Sequence, residues 1–252
     1  TAYPDFQQTY FIDEVVEKFP ELELMERIHH IVDMLEKYLI SSENLLDYPK
    51  SLDILLLALP PELDPNKHDD DFGDFILAPY GYFVARHGCS EEYLDISLNA
   101  LEQMTKRFSS EWPIRSFFNT FPDQTFAQML EWTESENYHV RRLASEGSRP
   151  NLPWGQKIDI AYHEPIVILD KLANDTCRFI TRSVANHLND ISKKDPELVI
   201  TTLKKWKSDR VGDIDYIISH STRTLVKQGY TPAFILLGYS ATPEIQMSDI
   251  EL

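Results

Sequence analysis

Three stretches of the chain can be laid over one another, starting at Val140, Ile180 and Ile217, with spacings of 40 and 37 residues. A period near 40 made of helix pairs is the mark of a HEAT-type solenoid, in which each repeat buries its apolar face only against its neighbours. The fold expected is therefore all-α: a curved HEAT-like repeat solenoid, an α-α superhelix with a concave face. At about 100° per residue, Val140, Leu143, Ala144 and Gly147 of the first copy fall on one side, and Arg142, Glu146 and Arg149 on the other. The second copy turns Cys177, Ile180, Val184, Leu188 and Ile191 inward and Arg182, Asn186 and Asn189 outward. Arg182 overlies Arg142 and Asn186 overlies Glu146, so stacking would set these polar stripes side by side along the concave face. The last copy, residues 215–229, carries His220, Arg223 and Lys227 ahead of an apolar helix over 232–237.

The first copy ends in an unusual loop. Pro150 stops the helix by removing a donor and crowding the preceding turn, and Pro153 restricts the approach to Trp154. A flat aromatic is thereby held one short loop from a carboxylate that lies between two guanidinia.

Ahead of these repeats the chain reads as helix after helix, without the alternation of strands. Tyr3, Phe6, Tyr10, Phe11, Val15 and Phe19 give a first helix with an aromatic face, and Leu24, Ile28, Ile31, Leu35 and Leu39 a second over 21–40. An apolar run over 52–59 ends at Pro60-Pro61. Residues 61–74 read as a solvated connection, the run Asp69-Asp70-Asp71 lacking the alternating ligand spacing of a calcium loop. The segment Phe75 to Arg86 reads as a core helix broken at Pro79 and Gly81. Ser90 begins the next helix, with Glu91 and Glu92 in its first turn and Lys106-Arg107 at its end, as the macrodipole favours. One domain over 1–238 is expected, with an acidic helical part over about 1–108 and the motif-bearing repeats over about 109–238. Residues 239–252 form an acidic tail, disordered or capping.

The net charge of −17 argues against a nucleic-acid partner if it is averaged over the molecule. It is not evenly spread. Residues 137–210 hold 13 Lys+Arg against 9 Asp+Glu, and the remainder 11 against 32. That asymmetry suits a chain that meets an anion on one surface only. No apolar run approaches the roughly 20 residues that cross a bilayer and no leader pattern opens the chain, so a cytoplasmic location away from membranes is expected. Cys89 and Cys177 lack metal-ligand spacing, the histidines 29, 30, 139 and 187 read as structural, and no phosphate-cradling glycine loop occurs.

The runs VRRLASEGSRPNLPWG, ITRSVANHLNDISKKDPEL and YIISHSTRTLVKQG resemble the AlkC branch of the AlkC/AlkD superfamily of bacterial DNA alkylation repair glycosylases, which are built from HEAT-like repeats. The resemblance spans about 21–238, and its motifs are specific between Ser109 and Asp190. It implies a concave groove for alkylated double-stranded DNA and hydrolysis without metal or nucleotide cofactor; an open solenoid groove leaves no obvious symmetric apolar patch, so a monomer is expected. Carried over position by position, the catalytic acids are Glu111 of SSEWPIR, Glu146 of RRLASEG and Asp190 of NHLNDI, and the base-binding aromatic is Trp154 of RPNLPW. Pro113 after Glu111 marks a helix start.

The chemistry agrees with that set. An N3- or N7-alkylated purine is cationic, and cleavage of its glycosidic bond leaves oxocarbenium character on the sugar. Carboxylates stabilise both charges and can orient water, and an indole face adds cation–π attraction. Arg142, Arg149, Arg178, Arg182, Lys193 and Lys194, with Lys204, Lys205 and Lys207, would contact phosphates and position the duplex without reading sequence. Each residue also has a structural reading: Glu146 as an intrahelical ion pair, Asp190 as a cap, Trp154 as a core plug, and the lysines as a solvated face. A DNA-binding module without activity and a protein-interaction scaffold are the alternatives. No lysine is placed as a Schiff-base nucleophile, so lyase chemistry is not expected.

Overall fold

The computed structural model describes residues 3–40, 46–64, 72–209 and 211–240. The run Asp69–Asp71 and tail residues 241–252 lie outside them. Among the described residues the molecule is all-helical, with one isolated bridge between Gly73 and Phe108 and no strand.

The helices are α1 (Gln8–Lys18), α2 (Leu24–Leu39), α3 (Tyr48–Leu57), α4 (Ala78–Gly88), α5 (Leu94–Thr105), α6 (Ile114–Thr120) and α7 (Pro122–Trp132). They are followed by α8 (Tyr138–Gly147), α9 (Ile166–Leu172), α10 (Arg178–Ser192), α11 (Pro196–Ser208), α12 (Ile214–Ser221), α13 (Arg223–Lys227) and α14 (Thr231–Leu236). Val140, Ile180 and Ile217, the residues that set the repeat, lie in α8, α10 and α12 and are fully buried. Those three helices pack in sequence, α8 on α10 and α10 on α12, and form one row. The other row holds α7, α9 and α11, each against the first. A single apolar cluster runs from Val32 to Leu236 through both rows, as expected when each repeat buries its face on its neighbour.

Local chemistry sets the ends. Asn137 accepts from the backbone N–H of His139 at 2.9 Å to open α8, and Asp195 accepts from that of Leu198 at 2.9 Å to open α11. The broken helix expected over 75–86 is corrected. A short 3-10 turn, Phe75–Leu77, runs straight into α4, whose first turn holds Pro79 where a missing N–H costs nothing. Gly81 is there for close approach: a Cβ would sit 2.8 Å from Pro113 Cγ. Ser90 precedes a 3-10 turn, Glu91–Tyr93, that leads into α5, and its side chain makes no cap bond. Asn189, expected to face outward, is buried instead. Its Oδ1 accepts from the Thr224 N–H at 3.2 Å and ties α10 to α13.

Candidate nucleic-acid lesion pocket

The polar side of α8 is opposite the core, as the period implied, but it is not a solvated stripe. Arg142 and Glu146 are about 95% buried, because α10, the turn ahead of α6 and the loop after α8 close over them. Burial forces pairing, since an isolated charge out of water costs several kcal/mol. The pairing forms a row of alternating sign. Glu111 Oε2 accepts from Arg142 Nη1 at 2.9 Å, and Arg142 Nη2 stands 3.7 Å from Glu146 Oε1. Glu146 Oε1 also accepts from Arg149, which donates through Nε and Nη2 to Asp190 Oδ2 at 2.9 and 2.7 Å. Asp190 Oδ1 accepts from Lys193 at 2.9 Å. Hydroxyls take up further capacity: Ser109 donates to Glu111 at 2.7 Å, and Ser183 donates to Glu146.

The arginines decide the charge state of Glu146. Burial pushes the Glu146 carboxyl up, but the guanidinia of Arg142 and Arg149, with the Ser183 hydroxyl, outweigh it and hold the group below the usual carboxylate range. Arg149 is likewise held more firmly protonated than usual: burial opposes its charge, and Glu146 and Asp190 overcome burial.

Aromatics wall the pocket above this floor. The Arg142 guanidinium lies 4.3 Å from the centre of the Phe179 ring and 4.9 Å from that of Phe72. Phe72 is held there by Gly73, whose φ of +80° brings its backbone so close to residue 107 that a Cβ would meet the Arg107 carbonyl oxygen at 1.8 Å. At the mouth, the Trp112 and Trp154 ring centres are 6.0 Å apart. Trp154 is 69% exposed, so it is no core plug, and its backbone has φ +60°, strained for a bulky residue.

Two contacts hold that strained loop. Trp112 Nε1 donates to the Pro153 carbonyl at 3.1 Å. Arg115, fully buried on α6, donates to the carbonyls of Gly147 and Arg149 at 3.1 and 2.8 Å and also to that of Gln156, gripping both ends of the loop.

Glu111, Glu146, Arg149, Trp112 and Trp154 thus line one cavity of about 220 Å³, together with Arg142, Arg182 and Phe72. Asp190 joins the same ion row but faces a neighbouring cavity on the far side of Arg149. Three of the four sequence-derived residues therefore share a cavity, and the fourth is one guanidinium away. The cations assigned to phosphate contact are distributed differently. Arg142 and Arg149 are inside the wall, each bound to carboxylates, and Lys193 is on Asp190. Arg178 donates to Asp213 at 2.7 Å with its guanidinium over the Tyr216 ring. Arg182 lines the cavity and Lys194 is exposed. Lys204, Lys205 and Lys207 ride on α11 in the other row, where Lys205 donates to Asp170 at 3.0 Å.

Sequence reading passed over Trp112, Arg115, Phe72, Phe179 and Ser183. Trp112 and Arg115 stood in plain view within the motif around Glu111. Phe72 carried no signal, because its place depends on Gly73 meeting residue 107.

His187, beneath the row on α10, is fully buried, with Nδ1 3.0 Å from the Ser145 carbonyl oxygen. Burial and then the Arg149 charge push its imidazole down to about 4, against the pull of Asp190 and Glu146. Between 6.5, its ordinary value, and 4 the unfolded chain binds a proton that the folded one refuses. Stability is then full above about pH 6.5 and falls as pH drops, by up to about 1.4 kcal/mol per unit. His187→Gln is expected to flatten that slope in urea midpoints taken from about pH 7.5 down to 4.5, and an unchanged slope would count against this assignment. Stopping there keeps Glu146, whose contribution is lost only as pH falls through its depressed value, out of the window.

By fold and pocket this is a helical-repeat protein whose inner row carries a charge-compensated, aromatic-walled site fit for a flat cationic guest. A family model described as DNA alkylation repair enzyme matches residues 108–223, the part that contains the whole ion row. The chain belongs to that family, as an AlkC-like member. It is 36% identical over 254 residues to the uncharacterized protein YhaZ of Bacillus subtilis (strain 168), a match that covers 99% of this chain and 66% of YhaZ. It also matches the structure of Pseudomonas fluorescens alkylpurine DNA glycosylase AlkC bound to DNA containing an abasic site analogue. That match has a TM-score of 0.80 and 32% identity, and it covers 94% of this chain and 62% of AlkC. The chain thus spans about two thirds of the length of these relatives.

Proposed function

We propose that this chain is a monofunctional DNA glycosylase, acting as a cytoplasmic monomer through its repeats over about 109–238. It hydrolyses the N-glycosidic bond of cationic alkylated bases of the 3-methyladenine type in double-stranded DNA. The observation that carries this reading is the convergence of Glu111, Glu146 and two tryptophans on one cavity, with Asp190 beyond Arg149. The family assignment and the AlkC relative captured on DNA support it.

In this reading the cationic base lies against Trp154 and Trp112, whose ring faces favour positive charge. As the glycosidic bond breaks, its electron pair returns to the base and neutralises it, while positive charge grows on the sugar. Glu146, kept ionised by its arginines, stabilises that charge without first having to lose a proton. Water forms the new bond to the sugar carbon and gives its proton to a carboxylate; Asp190, at the side of the row facing away from the aromatics, takes that role.

One observation favours a second reading, binding without release: Glu111, Glu146 and Asp190 all accept from a guanidinium already. The separating experiment is release of free 3-methyladenine and 7-methylguanine from methylated duplex at low salt. Release above the spontaneous rate is expected; retained binding with no release would select the second reading. Trp154→Ala is expected to lower release of cationic bases by roughly two- to thirtyfold, the cation–π range of about 0.5–2 kcal/mol. Equal loss for a neutral alkylated base would remove the cation–π argument.

A further inference from the structure

Two side chains of the last repeat, His220 and Arg223, lie outside the ion row and meet on one residue of α10. Asn186 Oδ1 accepts from Arg223 Nη2 at 3.0 Å, and His220 Nε2 lies 2.9 Å from the same oxygen. A guanidinium only donates, so the amide atom that faces it has to be the oxygen. Burial, and then the charges of Arg223, Arg182 and Arg178, push the His220 imidazole down to about 4, so near neutral pH the ring is uncharged and carries one proton. That proton is on Nε2, since a bare ring nitrogen and an amide oxygen would both be acceptors. A stack on Tyr216, ring centres 5.3 Å apart, holds the imidazole plane. The Asn186 amide is therefore locked in one of its two orientations, with its oxygen toward the last repeat.

The consequence falls on the other side of the amide. Asn186 lines the base pocket, whereas His220 and Arg223 are not among the residues that line it. With the oxygen turned away, the residue offers that cavity its Nδ2, which has no acceptor among the described residues. Other polar groups of the floor are engaged: Arg142 and Arg149 donate to carboxylates, and Ser183 donates to Glu146. A purine alkylated at N3 or N7 meets the carboxylates with its charge, yet it keeps bare ring nitrogens or a carbonyl oxygen. Those acceptors need donors once water is expelled.

We infer that Asn186 reads the edge of the base: its Nδ2 donates to a ring nitrogen or carbonyl oxygen there, and His220 and Arg223 are the positioning residues that aim it. This inference rests on the reading of the cavity as a base pocket. The contact strengthens as the glycosidic bond breaks, because the electron pair that returns to the ring makes its nitrogens better acceptors. Asn186 thus acts on the leaving base while the carboxylates act on the sugar.

The test measures coupling between the amide and one acceptor of the free base, so it does not depend on release. Free 3-methyladenine and its 1-deaza and 7-deaza analogues, each with C–H in place of one bare ring nitrogen, are titrated calorimetrically near neutral pH. Wild type is expected to lose roughly three- to tenfold in affinity for one of the two analogues, the worth of one neutral hydrogen bond. Asn186→Asp keeps an acceptor for Arg223 and His220 but replaces the donor. It is expected to bind 3-methyladenine more weakly by at least that factor, with no further loss for that analogue. Asn186→Leu, which adds no charge, should repeat the result. His220→Phe keeps a ring beside Tyr216 without the N–H and should reduce the coupling in part, since Arg223 still holds the oxygen. Equal losses across wild type and both Asn186 variants, or no binding of 3-methyladenine by wild type, would overturn the contact. Coupling without release from methylated duplex would keep the contact and sink the glycosylase reading. Release without coupling would do the reverse.

Discussion

Asp190→Asn is expected to lower base release by roughly 10²–10³-fold while leaving DNA binding nearly intact. That range is typical of removing one preorganised group that meets charge developing in the transition state. The substitution is close to isosteric, and the amide oxygen in the Oδ2 place still accepts from Arg149, so only the contact of the exposed Lys193 with Oδ1 is given up. What disappears is the anion opposite the sugar and its ability to accept a proton from water. Glu146→Gln is expected to fall by a comparable factor, because the same row holds that group ionised. Single-turnover release from methylated duplex, with affinity read in parallel, checks both. Undiminished release by Asp190→Asn would exclude it from the chemistry and leave Glu146 or Glu111 to activate water.

Truncating Glu146 is the second large effect. Glu146→Ala leaves Arg142 and Arg149 facing one another across an emptied, water-poor wall, with Ser183 left only Ser145 Oγ as an acceptor. Breaking a buried ion pair from one side costs about 3–5 kcal/mol, a large share of the margin by which a domain is folded. Urea unfolding at neutral pH is expected to show that loss. Removing Glu134 from its exposed pair with Lys171 should leave the midpoint almost unchanged. Equal midpoints for the two variants would mean that the row does not hold the repeats together.

The ion row also bears on how an acidic chain would meet DNA in the proposed function. The excess acid lies outside 137–210, and the three acids of the ion row are each compensated by an arginine. A carboxylate so compensated repels phosphate weakly, yet remains available to a cation placed against it.

From the sequence by itself one could read the helices and the repeat. Burial recurs every 3.6 residues, and the offsets between Val140, Ile180 and Ile217 brought three buried positions into register. The loop after α8 was legible for the same local reason, since prolines restrict their own neighbours. Glu111, Glu146, Asp190 and Trp154 were legible as a set only through family resemblance. What those residues do to one another was decided by the tertiary structure. Arg142 meets Glu111 across 31 residues and Arg149 meets Asp190 across 41, and no periodicity reports a partner at that distance. The stripe on α8 read as part of an open concave face because helical period assigns a side, not what covers it. Once the neighbouring repeat and the loop gripped by Arg115 had closed over that side, desolvation required each charge to find its opposite. That requirement, more than any local preference, arranged the site.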